Sequence, residues 1–256
     1  MSDRCSGTEV AALIVAGGSG TRAGGGLAKQ YRRLGGRPMI RRTIEAFQAC
    51  PEVDRIQVVI GNGHETDYAG AVSGLALPTP VTGGETRQDS VRRGLQALAA
   101  EAPDFVLIHD AARPLVSSAV IGAVIAVLRS GADAVLPFLP VADSLRRIDP
   151  AGGSQAISRD GVGRAQTPQG FRFTTITGAH ERFAGSNAGD DIALAERAGV
   201  PVTTVPGEEA NLKVTTEADF ALAERLLRGW GETRTGMGFD AHRFVPGDHL
   251  WLCGVR

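Results

Sequence analysis

Lysine is almost missing from this chain. Lysine and arginine together number 27 in 256 residues, yet only Lys29 and Lys213 are lysines. Cysteine is scarce as well: Cys5, Cys50 and Cys253 are odd in number, far apart and in no Cys-x-x-Cys spacing. That excludes a disulfide framework and a cysteine-built zinc site, and it fits a reducing cytoplasm. Long hydrophobic runs are absent too. The apolar stretch Val10 to Ala16 is too short for a signal core or a membrane span, and the N-terminus Met-Ser-Asp-Arg-Cys-Ser is polar, so no targeting segment is visible. A net charge of −1 gives no sign of a nucleic-acid or anionic-membrane partner. Any attraction for anions must be local.

What is present gives the two lysines meaning. Lys29 sits in Ala-Lys-Gln-Tyr behind the glycine-rich run Gly17-Gly18-Ser19-Gly20-Thr21-Arg22, and Lys213 sits in Asn-Leu-Lys-Val-Thr. An ammonium is a compact point charge that fits beside one phosphate oxygen, where a guanidinium is a broad planar fork. A chain that keeps lysine at two places suggests a phosphate site at those places, although scarcity by itself equally allows drift.

Apolar runs of strand length recur at Val10 to Ala16, Arg55 to Ile60, Phe105 to His109, Ala134 to Pro137 and Val202 to Val205. They read as buried parallel strands. Amphipathic stretches at Ile40 to Cys50, Asp89 to Ala100, Ser118 to Arg129 and Thr216 to Arg228 alternate with them, the last opening on Thr216 with Asp219 three residues later. The alternation predicts an α/β fold with a doubly wound, mostly parallel sheet whose binding loops lie at the carboxyl ends of its strands. Residues 140–170 break the pattern, and two short strands around Pro150-Ala151-Gly152-Gly153 predict a protruding β-arm. The organisation expected is a domain over 1–228, a linker over 229–234 and the start of another domain over 235–256. That last stretch is far below the about 40 residues an independent core needs without staples, so the second domain is expected to be incomplete here.

Three motifs carry the chemistry. Gly18-Ser19-Gly20-Thr21-Arg22-Ala23 formally matches a dinucleotide-binding fingerprint, but Gly24-Gly25-Gly26 discourages the helix that fingerprint requires. The Walker pattern fails as well, because Lys29 is followed by Gln30 rather than a hydroxyl residue. An open loop flanked by Arg22 and Lys29 remains, suited to wrapping a triphosphate with backbone amides. Asp110, in His109-Asp110-Ala111-Ala112-Arg113-Pro114, projects from a strand's carboxyl end, where it is either a site carboxylate or a helix N-cap. Gly83-Gly84-Glu85-Thr86-Arg87-Gln88-Asp89-Ser90 is a glycine turn entering a helix, where amides and Ser90 can meet a base or a phosphate.

Those blocks, taken in order with Thr167-Pro168-Gln169 and Asn211-Leu212-Lys213-Val214-Thr215, resemble the 2-C-methyl-D-erythritol 4-phosphate cytidylyltransferase family over about Val10 to Leu227. The tail Gly236-Met237-Gly238-Phe239-Asp240-Ala241-His242 is similar to the opening of 2-C-methyl-D-erythritol 2,4-cyclodiphosphate synthase, a lyase fused behind the cytidylyltransferase in some bacteria. The resemblance implies a Rossmann-like nucleotidyltransferase of isoprenoid precursor biosynthesis, forming 4-diphosphocytidyl-2-C-methyl-D-erythritol and pyrophosphate from CTP and methylerythritol phosphate. It implies that Arg22 and Lys29 stabilise charge on the α-phosphate, and that Arg159 and Lys213 act with them and position methylerythritol phosphate, with Ser144 and Thr167 nearby. Ala16, Gly17, Gly18, Gly20, Gly84, Glu85 and Ser90 match positions around the nucleotide, and Asp110 matches one near its ribose. The arm carrying Ser144 and Arg159 implies a homodimer with shared sites. This chain departs mildly from the family at Ala28, Ser144 and Glu85, and Gly189 stands where relatives often carry threonine.

The implied chemistry needs no general base, because a phosphomonoester with a second pKa near ~6 is largely ionised at neutral pH. Mg²⁺ is expected with CTP, since a hydrated octahedral ion needs few protein ligands. Asp240 and His242 alternate on a strand and so share a face; the resemblance makes them part of a zinc site whose third ligand lies beyond Arg256. Two other readings stay open: a cytidylyltransferase for another polyol phosphate such as ribitol 5-phosphate, and a nucleotide-binding scaffold without turnover.

Overall fold

A computed structural model describes residues 8–17, 27–186 and 188–229. The chain begins with β1 (Val10–Ala16), followed by a short 3₁₀ turn at Lys29–Tyr31, the two-residue strands β2 (Arg33–Leu34) and β3 (Arg37–Pro38), and α1 (Met39–Gln48). Next come β4 (Arg55–Ile60), α2 (Glu65–Ala71), β5 (Val81–Thr82), α3 (Arg87–Leu98), β6 (Phe105–Asp110), α4 (Ser118–Arg129) and β7 (Ala134–Pro140). The remainder is β8 (Leu145–Ile148), β9 (Ser154–Ile157), β10 (Gly163–Ala165), β11 (Gln169–Arg172), α5 (Phe173–Arg182), α6 (Asp191–Arg197), β12 (Val202–Pro206) and α7 (Glu217–Gly229).

β1 lies at the centre of the main sheet, parallel to β4 on one side and β6 on the other, with Ala16 opposite Ile60 and Val15 opposite Asp110. The three strands therefore end level, and their carboxyl ends form one rim. All five apolar runs are strands of this sheet, but Val202 to Val205, expected to be buried, is largely exposed in β12, where only Val205 is buried. β11 enters antiparallel between β6 and β7, and it was not legible in the sequence because four residues are too short to display a period. Its Gly170 allows a close approach: a Cβ there would come 2.3 Å from Val124 Cγ1 of α4. β10 and β12 both pair with β7, and since Phe138 is partnered by each, they occupy opposite edges.

Alternation along β1 divides its side chains between two cores. Val10, Ala12 and Ile14 pack with Ile40, Ile44 and Phe47 of α1 and with Ile121, Val124 and Ile125 of α4. Ala11 and Leu13 face Val91, Leu95 and Leu98 of α3 together with Ile176 of α5. Both faces of the sheet are covered, as its continuous hydrophobic strands require. A smaller cluster seats α7, with Phe220 and Ala223 against Leu34, Met39 and Val214.

Helix starts follow their side-chain caps. Thr86, Ser117 and Asp190 accept from the backbone amides of Asp89, Val120 and Ala193 respectively. Thr216 accepts from the Asp219 amide while the Asp219 carboxylate accepts from the amides of Thr215 and Thr216, the reciprocal start expected for α7.

The expected arm is the hairpin β8–β9, in register from Leu145 opposite Ile157 to Ile148 opposite Ser154. Its turn closes through Asp149, whose amide donates to the Gly153 carbonyl and whose carbonyl accepts from Gly152, a residue at φ +97°. The far end of the 140–170 stretch rejoins the sheet as β10 and β11. Among the described residues, no helix is long and apolar enough to cross a membrane.

Candidate active site

The strand ends frame a cavity of about 430 Å³ whose wall includes Ala16 and Gly17 after β1, Gly84 to Arg87 and Ser90 at the start of α3, and Asp110 to Ala112 after β6. Lys29 and Lys213 both line it. The chain's two lysines, 184 positions apart in sequence, thus face one space. The Lys29 ammonium donates to the Val214 carbonyl at 3.1 Å, and the Lys213 ammonium pairs with Asp110 Oδ2 at 2.8 Å.

Asp110 is not a helix cap. It ends β6 and is held by three cations: Lys213, Arg87 with its Nε 3.6 Å from Oδ1, and Arg113 with its Nε 3.8 Å from Oδ2. Burial alone would raise this carboxyl, but Lys213, Arg87 and Arg113 outweigh it and hold the pKa at about 2. Arg113 is itself fixed by donating to the carbonyls of Asn211 and Ala165.

Behind Asp110, the fully buried His109 has its Nδ1 2.9 Å from Thr167 Oγ1 and its Nε2 3.1 Å from the Arg113 carbonyl. The Arg113 carbonyl can only accept, so the ring proton of the neutral imidazole sits on Nε2 and Nδ1 accepts from the Thr167 hydroxyl, whose oxygen also accepts from the Asp110 amide. Burial drives the His109 pKa down to about 4. Thr167 is 4% exposed, and its hydroxyl supports the Asp110 segment from behind. It does not line the cavity.

Buried amides then draw the motifs together. Asn211 Nδ2 donates to the Thr167 carbonyl at 2.8 Å, Gln166 Nε2 donates to the Glu208 carbonyl at 2.7 Å, and the Val214 amide donates to the Ala112 carbonyl at 2.8 Å. The segment carrying Lys213 is in this way bonded to the segments carrying Asp110 and Thr167.

The glycine turn before α3 is held by Ser90, whose hydroxyl accepts from the Gly84 amide at 3.1 Å and donates to the Thr86 carbonyl at 2.9 Å. Ser90 is 2% exposed, so it shapes the wall more than it presents a donor to it. Gly17 packs against the same hydroxyl, where a Cβ would come within 2.9 Å of Oγ. Ala16 offers its carbonyl to Gln30 Nε2 at 2.9 Å, and Glu85 lies exposed on the rim.

Not all the expected residues gather here. Arg159 and Ser144 are exposed on and beside the arm, Arg159 donating to the Ala142 carbonyl, and neither lines the cavity. Gly18, Gly20, Arg22, Asp240 and His242 lie outside the described residues. Arg87 is the lining residue whose part the sequence did not reveal: it lies inside a quoted block, but its partner Asp191, at 2.7 Å, is more than a hundred positions away.

The arrangement suits a polyanion. Three cationic side chains, Lys29, Lys213 and Arg87, line the cavity together with the amino end of α3, where the helix dipole also favours negative charge. Among the described residues, no histidine or cysteine lines the space.

Comparison with known proteins supplies a family. Residues 10–229 match the model for "IspD: 2-C-methyl-D-erythritol 4-phosphate cytidylyltransferase". A "Bifunctional enzyme IspD/IspF" of Rhodospirillum rubrum is 52% identical over 251 residues, covering 97% of this chain and 65% of the relative. A protein of the same description from Paracoccus denitrificans is 50% identical, over 96% of this chain and 63% of its own length. The chain thus spans just under two thirds of the length of these curated relatives. Among solved structures, the 2-C-methyl-D-erythritol 4-phosphate cytidylyltransferase of Thermus thermophilus superposes with a TM-score of 0.71 at 32% identity, covering 84% of this chain and 98% of that one. The bifunctional IspDF of Campylobacter jejuni superposes with a TM-score of 0.70 at 26% identity, over 83% of this chain and 53% of its own.

Proposed function

Because this chain belongs to the 2-C-methyl-D-erythritol 4-phosphate cytidylyltransferase family, we propose that its residues 1–228 transfer a cytidylyl group from CTP to 2-C-methyl-D-erythritol 4-phosphate. The products are 4-diphosphocytidyl-2-C-methyl-D-erythritol and pyrophosphate. The observation that carries the reading is the meeting of Lys29, Lys213 and Asp110 at one cavity on the carboxyl rim of the sheet.

A phosphate oxygen of methylerythritol phosphate attacks the α-phosphorus of CTP. The new bond is oxygen to α-phosphorus, and the bond broken is the one to the β-phosphate, whose pyrophosphate leaves with the electron pair. The nucleophile is already ionised, so the cavity needs no base. Its task is to hold two anions in line and to stabilise the charge that builds between them. Lys29, with Arg22 beside it in sequence, serves the triphosphate; Lys213 serves the incoming phosphate; Asp110 faces the ribose; the turn at Gly84, Glu85 and Ser90 holds the base. Mg²⁺ brought in by the triphosphate fits this donor set, since among the described residues no group of three His, Cys, Asp or Glu side chains can hold a metal by itself.

Arg159 and Ser144 do not line the cavity of their own chain, which supports a homodimer joined through the arm, each arm serving the cavity of the other copy. The exposed Ile148 and Ile157 on the hairpin support that reading. Gly229, expected to open the 229–234 linker, is the last residue of α7; residues 230–234 are proposed as the linker and 235–256 as the start of a cyclodiphosphate synthase domain, in which Asp240 and His242 would hold a divalent metal of the zinc type. The bifunctional names of the relatives support this assignment. The cytoplasm is the proposed location.

The test is pyrophosphate release, with CTP against UTP and methylerythritol phosphate against ribitol 5-phosphate. Release that requires CTP and methylerythritol phosphate supports the proposal. Release that favours ribitol phosphate, or CTP binding with no release, overturns it.

A further inference from the structure

We infer that Arg87 is a positioning residue for the proposed reaction: it spans from the buried Asp191 to Asp110 and so fixes the carboxylate that holds the Lys213 ammonium in the cavity. The inference rests on the reading of the cavity given above, and it goes beyond that reading by assigning a task to Arg87 and to the pair behind it.

The span uses two different nitrogens of one guanidinium. Nη1 lies 2.7 Å from Asp191 Oδ2, and Nε lies 3.6 Å from Asp110 Oδ1. A rigid planar fork presents separate nitrogens to the two carboxylates in fixed directions, whereas an ammonium would have to meet both with one nitrogen on a flexible stem.

The far end of the span is immobile. Asp191 is 1% exposed, its Oδ1 is 3.1 Å from Nε2 of the equally buried His180, and its amide donates to Gln169 Oε1. Gln169 Nε2 in turn donates to Asp190 Oδ2 at 2.9 Å. Gln88 ties down the preceding loop, donating to the Phe183 carbonyl and accepting from the Ala188 amide. Two glutamines, Gln88 of the block Gly83 to Ser90 and Gln169 of the block Thr167 to Gln169, thus anchor the segment that holds Arg87.

The near end is the one that needs fixing. The Lys213 side chain is 43% exposed and pairs with Asp110 Oδ2. A half-exposed lysine has many rotamers to choose from, so its ammonium stays in the cavity only as well as Asp110 is held. Arg113 lies 3.8 Å from the same oxygen, which leaves Arg87 as the side-chain cation on Oδ1 among the described residues.

A double-mutant cycle on the full chain tests this. Arg87→Lys keeps the charge and loses the span. It should lower kcat/KM for methylerythritol phosphate by about tenfold or more in the native background, and by less than about threefold in a Lys213→Met background, because the two residues act as one unit. A general loosening of the fold would give the same factor in both backgrounds, and that result overturns the inference. If Arg87→Lys does not fold, the paired change Arg87→Met with Asp191→Asn removes both charges together, leaving neither buried alone. It should show the same dependence on Lys213. If Lys213→Met leaves too little turnover, the same cycle is run on the Kd for methylerythritol phosphate by calorimetry, with the same two readings. Absence of turnover in the unaltered chain overturns the proposed reaction and this inference with it. Normal turnover with equal factors overturns only the inference.

Discussion

The Lys29 ammonium donates a 3.1 Å hydrogen bond to the carbonyl of Val214, the residue that follows Lys213. Lys29 is thus tied to the segment that carries Lys213, and this bond helps set the spacing of the two cations. Lys29→Ala removes the charge and this tie, and should lower pyrophosphate release by more than about 100-fold if charge stabilisation carries the reaction. Thermal melting should move far less than turnover, since the side chain is partly exposed and a single polar side chain contributes little net stability. A variant with turnover near that of the parent removes Lys29 from the mechanism.

Acid sensitivity should come in two steps from two adjacent residues. His109 has a folded pKa near 4, below its ordinary 6.5, so the stability it contributes is complete above pH 6.5 and is lost as pH falls from there toward 4. Asp110, held near 2, loses its contribution later, as pH falls from about 4 toward 2. The two shifts correspond to roughly 3 and 2 kcal/mol respectively. Urea midpoints measured from pH 7 to pH 3 should therefore fall more steeply between 6.5 and 4 in the parent than in His109→Gln. Parallel curves would dismiss His109 as a source of the first step.

Packing at Gly94 offers a test that does not depend on the chemistry. A Cβ there would come 2.5 Å from Leu13 Cδ1 and 2.7 Å from Val59 Cγ2, so α3 lies directly on β1 and β4 at this point. Gly94→Ala should cost about 1–3 kcal/mol through overpacking, despite alanine's better helix propensity. An unchanged or raised melting temperature would mean that Leu13 yields and that the contact is soft.

Strands were legible where a run was buried on both faces. Val10 to Ala16 and, within Phe105 to His109, the stretch Phe105 to Ile108 are continuous apolar runs because helices cover both sides of the sheet. β11 was hidden because Gln169-Gly170-Phe171-Arg172 offers one large apolar residue, and its place between β6 and β7 is decided by Phe171 and by the absence of a side chain at Gly170. Of the cavity lining, Lys29, Lys213, Asp110 and the turn at Gly84 were legible in the sequence, Lys29 and Gly84 beside glycine runs, Asp110 at a strand end and Lys213 through the rarity of lysine. Its supports were not. Arg87 meets Asp191, and Thr167 meets His109, across sequence gaps that no local pattern bridges. Thr167, named beforehand as a substrate neighbour, is found as a buried prop behind Asp110.

The arm gives a prediction that separates a shared site from a private one. Lys213 lines the cavity, whereas Arg159 stands exposed at the arm and outside the cavity wall of its own chain. If each site takes Lys213 from one copy and Arg159 from the other, Lys213→Ala and Arg159→Ala are each inactive alone but complement when mixed. In a mixed dimer, one site receives both substitutions and the other receives neither. Random re-assortment makes half the dimers mixed, with one working site in two, so about a quarter of the parental activity should return. The measurement is pyrophosphate release after co-refolding or co-expression of the two variants, compared with each variant alone. Recovery near a quarter supports the crossed arm. No recovery, from dimers that sedimentation shows to be mixed, means that both residues serve the site of their own chain.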